Sequence, residues 1–201
     1  MQQIELLAPA GNFSKLKTAL YYGADAVYAG GKNLSLRAFS DNFTDEEMRA
    51  AVKYAHSLNK KIYVTVNAFA RNADIKRAEE YFKFLEEIKA DAAIVTDPGL
   101  IAIAKTVSPN LEIHLSTQAN TLNAAAAKFW VDTGVKRVIL ARELSFNEIK
   151  EINDALPKTA ETECFVHGAM CISYSGRCLL SNYLNGRDGN RGECVQACRW
   201  N

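Results

Sequence analysis

The sequence predicts an α/β protein, a (β/α) TIM-like barrel, and three observations carry that reading. Short apolar, β-branched runs alternate with helical patterns from residue 4 to residue 166. Strand–helix–strand repetition of this kind forces parallel pairing through right-handed crossovers, because a tight turn cannot return the chain to a parallel neighbour. Polar loops follow every run, "PAGN", "GGKN", "NAFARN", "TDPG", "STQAN", "RELS" and "HGAMC", as they do on the reactive face of a barrel. The first strand-to-helix turn, "APAGNFSK", holds one glycine in place of the G-x-G-x-x-G fingerprint of a doubly wound dinucleotide-binding sheet.

In chain order, the run Ile4–Ala10 reads as the first strand, and the helix after it stops at Gly23. Asp25–Gly30 is the second strand. Thr44 before "DEEM" starts a helix whose apolar face is Met48, Val52, Ala55 and Leu58. Lys61–Ala68 follows as a strand, then a helix with Ala78, Phe82, Phe84, Leu85 and Ile88 inward. Ala92–Asp97 ends on an aspartate that caps the helix opening at Pro98. Glu112–Thr117 and Arg137–Arg142 are separated by a helix ending at Gly134, and Ser145 with Glu148 forms a capping box for the next helix. Glu163–Gly168 is the seventh strand, with Cys164 packed in the core as a small apolar thiol. Seven strands leave a barrel incomplete, and the eighth is expected past residue 201. The organisation is therefore a barrel-like domain over 1–170 and a Cys-rich metal-binding or cluster-binding segment over 171–201, continuing further.

With 24 basic and 23 acidic residues the net charge is +1, so the chain has no broad field for nucleic acid and any such contact is local. No run of 18 uncharged apolar residues occurs, and "MQQIELLAPAG" lacks a signal-peptide layout. The expectation is a cytoplasmic protein with no membrane contact, where thiols stay reduced and clustered cysteines bind metal or do redox chemistry.

Four of the five cysteines, Cys171, Cys178, Cys194 and Cys198, fall in a Gly/Asn/Arg/Ser-rich stretch that apolar burial cannot order. A metal held by thiolates would supply that ordering energy. Zinc favours pairs spaced C-x(2-4)-C, which only Cys194 and Cys198 satisfy; an iron–sulfur cluster accepts the wider spacing of Cys171 and Cys178. His114 and His167 lie near the carboxyl ends of strands, where a barrel gathers catalytic groups, and each has a structural reading as well. Gln118, Asn120 and Arg142 occupy equivalent loops as substrate-binding candidates, although helix capping explains Asn120 equally. Arg177, Arg187, Arg191 and Arg199, among Tyr174, Tyr183 and Trp200, suit phosphate contact and base stacking, or a solvated surface. A G-x-S-x-G elbow, an H-E-x-x-H helix and a cysteine-protease signature are all missing.

The stretch "ECFVHGAMCISYSGRCLLS", Glu163 to Ser181, resembles the signature of the U32 peptidase family. "ELLAPAG", "YGADAVYAGG", "SLRA", "VTDPGLI", "IHLSTQAN", "KFWVDTGVKRVILARELS" and "CVQACRW" are similar to that family's tRNA-hydroxylation branch. The resemblance implies oxygen-independent hydroxylation, forming 5-hydroxyuridine at the tRNA wobble position with an iron–sulfur cluster of the 4Fe-4S kind and with prephenate as oxygen source. It implies Cys171, Cys178 and Cys194 as ligands, with Cys198 or a cysteine past residue 201 as the fourth and zinc as a possible substitute. His114 or His167 would move protons, and Arg177 would join Gln118, Asn120 and Arg142 at the substrate. A protein partner or a homo-oligomer is compatible with the family. The alternatives are a peptidase, including the collagenase-like kind, and an RNA-binding assembly module without catalysis of its own.

Overall fold

The computed structural model describes residues 4–32, 34–35 and 42–200; Asn33 of "GGKN" and residues 36–38 of "SLRA" lie outside them. Seven parallel strands, β1 (Leu7–Pro9), β2 (Ala26–Gly30), β3 (Lys61–Val66), β4 (Ala92–Val95), β5 (Glu112–Leu115), β6 (Arg137–Ile139) and β7 (Glu161–Glu163), pair strictly in sequence order. Six helices cross between them: α1 (Phe13–Tyr21), α2 (Asp45–Ser57), α3 (Ile75–Glu87), α4 (Pro98–Val107), α5 (Ala124–Asp132) and α6 (Phe146–Ala155). No helix among the described residues is long and apolar enough to cross a membrane.

The sheet curls into a barrel wall, and one side chain proves it. Arg137, at the start of β6, donates from Nη1 to Glu5 Oε1 at 2.7 Å, and Glu5 directly precedes β1. In a flat sheet those strands would stand about 24 Å apart, five steps of roughly 4.8 Å. The hydroxyl of Tyr63 on β3 donates to the same carboxylate at 2.8 and 2.9 Å, so β1, β3 and β6 meet across an interior. Among the described residues β7 does not pair with β1, and the Arg137–Glu5 bond spans the gap.

Between wall and helices lies the main core. Leu16, Met48, Phe82, Leu85, Leu100 and Ile152 of the helices are all but fully buried, as are Val27, Ile62, Val64, Val95, Leu115 and Val138 of the sheet. Each such side chain contributes about 1.5–3 kcal/mol relative to exposure, which is why strands of only three to six residues suffice. The expected caps form: Thr44 and Ser145 make capping boxes with Glu47 and Glu148, and Asp97 accepts from the Leu100 amide. Gly23 and Gly134 take φ of +102° and +92°, the left-handed stop that a side chain resists. Leu58 falls just past α2 and stays half exposed.

Two expectations change here. The seventh strand is Glu161–Glu163 in place of Glu163–Gly168, because pairing with β6 ends at Ile139 opposite Glu163. Cys164 therefore has no sheet neighbour and is exposed, not packed in the core.

After β7 the chain folds back over the carboxyl ends of the strands. It forms α7 (Leu180–Asn185) and three single 3-10 turns, Tyr174–Gly176, Gly189–Arg191 and Ala197–Arg199.

Candidate functional site

A cavity of about 550 Å³ opens at the carboxyl ends of the strands. Tyr28, Thr65, Ile94 and Ile139, projecting inward from β2, β3, β4 and β6, form its floor. Lys15 from α1, Gln118 after β5, Arg142 after β6 and Glu163 at the end of β7 bring polar groups to its sides. Cys171, Cys178, Cys194 and Cys198 all line its roof. A second, open hollow of about 430 Å³ lies at the amino ends of the strands, beside His56, Lys61, Asp91 and Glu112; barrels conduct their chemistry at the other face.

All four roof cysteines are free thiols. Hydrogen bonds from Ser173 and from the Leu180 amide, the latter 3.3 Å from Sγ, lower the pKa of Cys178. Cys194 accepts from the Gln196 amide at 3.4 Å and from the Ser181 hydroxyl at 3.8 Å. N–H and O–H donors aimed at sulfur favour the thiolate, the form that soft metals bind. No three His, Cys, Asp or Glu side chains among the described residues gather as a single-ion site, and a lone tetrahedral zinc needs its sulfurs all about 2.3 Å from one point. Four thiols lining one cavity are a soft donor set of the kind that thiolate-held metal centres use.

Gln118 is 5% exposed, and its Oε1 has no hydrogen-bond partner. Arg142 likewise leaves Nε unpaired, with its guanidinium 6.0 Å above the Phe165 ring. A Cβ built on Gly176 would sit 3.6 Å from Arg142 Nη2, so that side chain reaches the underside of the cysteine segment. These unspent groups face a space able to take a small polar molecule.

The other sequence candidates lie elsewhere. His114 points into the barrel interior, outside the cavity lining, edge-on to Tyr63 at 4.6 Å between ring centroids. Burial lowers its pKa, against a contrary pull from Glu112, whose carboxylate is 3.9 Å from Nε2. His167 is exposed on the loop after β7 and does not line the cavity. Asn120, at φ +58°, closes the 3-10 turn Thr117–Ala119 and does not start α5; Asn123 caps α5, accepting from the Ala126 amide at 2.9 Å. Arg177 is exposed, its guanidinium 5.4 Å above the Phe69 ring.

Glu163 and Lys15 are cavity residues that pattern reading overlooked, Glu163 because it served there only to begin a strand. Glu163 is partly buried, and burial raises its pKa while the Arg137 guanidinium, 3.4 Å away, opposes the rise. No local signal marks it, because its place at the end of β7 follows from pairing with β6.

The sequence model of Peptidase family U32 matches residues 11–201. The chain is 50% identical over 196 residues to tRNA hydroxylation protein P1 of Bacillus subtilis, a match covering 98% of this chain and 46% of that protein. It is also 50% identical over 201 residues to tRNA hydroxylation protein P of Helicobacter pylori, covering 100% of this chain and 47% of the relative. A solved U32 peptidase superposes with a TM-score of 0.68 at 13% identity, over 81% of this chain and 68% of that one, a likeness of fold. The chain spans about half the length of the curated relatives it matches.

Proposed function

The chain belongs to peptidase family U32, and from that premise we propose that it is the barrel and thiolate-bearing part of an oxygen-independent tRNA hydroxylase that makes 5-hydroxyuridine. The observation that carries this reading is the convergence of Cys171, Cys178, Cys194 and Cys198 on one cavity at the carboxyl face of the barrel. The names of the relatives from Bacillus subtilis and Helicobacter pylori support the same reaction class. For the family's peptidase title the sequence offers no activated nucleophile.

The four cysteines would hold an iron–sulfur cluster, which supplies redox or Lewis-acid chemistry at iron. The remaining work belongs to this chain. Arg142 and Lys15 offer cationic donors to a carboxylated co-substrate such as prephenate, and Gln118 Oε1 accepts from its hydroxyl. Ile94 and Ile139 close the floor against water. Glu163, which lines the cavity where His114 and His167 do not, would hold or release a proton at its edge, with burial raising its pKa. The exposed Arg177, Tyr183 and Trp200 flank the roof and would meet the RNA.

Replacing Cys171, Cys178 or Cys194 by alanine should abolish both the brown colour of anaerobically purified protein and 5-hydroxyuridine in the tRNA of a deletion strain. Undiminished 5-hydroxyuridine in those strains would remove the proposal. Hydrolysis of gelatin by the purified protein, lost on adding chelator, would replace it with a metal-dependent peptidase.

A further inference from the structure

Within 171–200 three residues are buried, Ser175, Ser181 and Asn190, and all are polar. Hydrogen bonds, not apolar area, must therefore seat the cysteines. Asn190 pairs with Cys178 as one amide with another: its Oδ1 accepts from the Cys178 N–H at 3.1 Å, and its Nδ2 donates to the Cys178 carbonyl at 2.8 Å. The Asn190 carbonyl accepts in turn from the Phe69 amide, on the loop after β3, at 3.1 Å. Arg191 completes the link, donating from Nη1 to the Phe69 carbonyl at 2.5 Å and to Asp74 Oδ2 at 2.7 Å, and from Nη2 to Asp74 Oδ1 at 3.2 Å.

Asp74 is a fixed point of the barrel. It is 5% exposed, and its carboxylate also accepts from the Arg71 amide at 2.9 Å and from Arg77 at 2.8 Å. The turn that carries Asn190 also packs on Cys194, since a Cβ built on Gly189 would lie 3.6 Å from that of Cys194. This anchor, with the more exposed Arg71–Asp188 pair at 3.1 Å beside it, serves both the loop of Cys178 and the approach to Cys194.

We propose that Asn190 and Arg191, clamped to Phe69 and Asp74, are positioning residues that set Cys178 and Cys194 in place before any inorganic centre enters. The functional meaning rests on the thiolate-centre reading above; the ordering itself does not. In the opposite arrangement, common in small metal-binding segments, the metal does the ordering and the ligand loop is slack without it. Here Cys178 and Cys194 already have supporting contacts from the protein, the arrangement that holds ligands at a fixed geometry.

The test uses the metal-free full chain and maleimide labelling resolved by peptide mass, with Cys164 as internal reference. Arg191→Ala and Asn190→Ala should each speed labelling of Cys178, which is half-buried and accepts from the Leu180 amide, by about tenfold, as expected when a local opening becomes easier, whereas the exposed Cys194 should change less. The Cys164 rate and the far-UV circular dichroism should stay as in the wild type. Arg191→Lys, which keeps charge but loses the two-pronged contact, should fall between. Asn190→Ala serves should Arg191→Ala unfold the barrel by stranding the Asp74 carboxylate. A Cys178 rate within about twofold of wild type in a folded variant would overturn the proposal, because a loop lacking its anchor must open more often, and so would an equal rise at Cys164. Anaerobic iron loading separates the two readings. Failure of the wild type to take up iron, with the labelling contrast intact, defeats the thiolate centre and leaves the positioning role standing. Equal iron uptake by all variants without a labelling contrast does the reverse.

Discussion

The barrel wall and the segment above it are held together by different physics. The wall buries Leu, Val, Ile and Phe side chains between sheet and helices, whereas residues 171–200 bury only Ser175, Ser181 and Asn190 and leave Ile172, Leu179, Tyr183 and Trp200 in solvent. Apolar burial is spread over many side chains and has no direction, so it tolerates local error. A structure hung on a few hydrogen bonds gains geometric definition and loses that tolerance, since each bond removed leaves a partner unsatisfied. The difference explains how a small segment can present four thiols to one cavity without a core of its own.

Three measurements break or sharpen that contrast. Phe82→Ala, in a fully buried position of α3, should cost about 3–5 kcal/mol in urea unfolding while leaving the labelling rates of Cys178 and Cys194 in native buffer unchanged; faster labelling would mean that the two regions share one cooperative unit. Arg137→Met should cost about 3 kcal/mol, because it strands the Glu5, Glu161 and Glu163 carboxylates now paired with it, at the lower end of the usual range since Glu161 is partly open to water. Part of that loss should return at low pH, where the stranded carboxylates are protonated. The smallest effect is a pH dependence at the contact between barrel and segment. Its hydrogen bond from Arg191, outweighing burial, depresses the Asp74 pKa from 3.8 to about 2. A depressed carboxylate stabilises fully above its unfolded value and loses that contribution as pH falls through the folded one. Protease cleavage within 171–200 should therefore appear on acidification below about pH 4 before the circular dichroism of the barrel changes.

The wall was readable from sequence because its determinants are local. Short apolar, β-branched runs marked the strands and period-3.6 spacings the helices, and Thr44, Asp97 and Ser145 cap the helices they precede. The gathering of Cys171, Cys178, Cys194 and Cys198 was likewise legible from their clustering and the texture around them. What escaped depends on contacts between distant residues. Arg191 pairs with Asp74 across 117 positions, and nothing near either residue announces the other. His114 was placed near the mouth by its strand, but the side on which it projects sends it to Tyr63 in the interior. Asn123, not Asn120, caps α5, since both asparagines suit a cap and only backbone geometry distinguishes them.

The Arg137–Glu5 bond has a consequence for how the molecule is made. Its two ends are 132 residues apart, so a ribosome must release β6 before the first strand can find its interior partner. Until then Glu5 has, among the described residues, only the more exposed Lys61 as a cation beside it, 3.5 Å away, and pairing with Arg137 at such separation is slow. The cavity floor is therefore a late product of synthesis, completed just before the cysteines that roof it emerge.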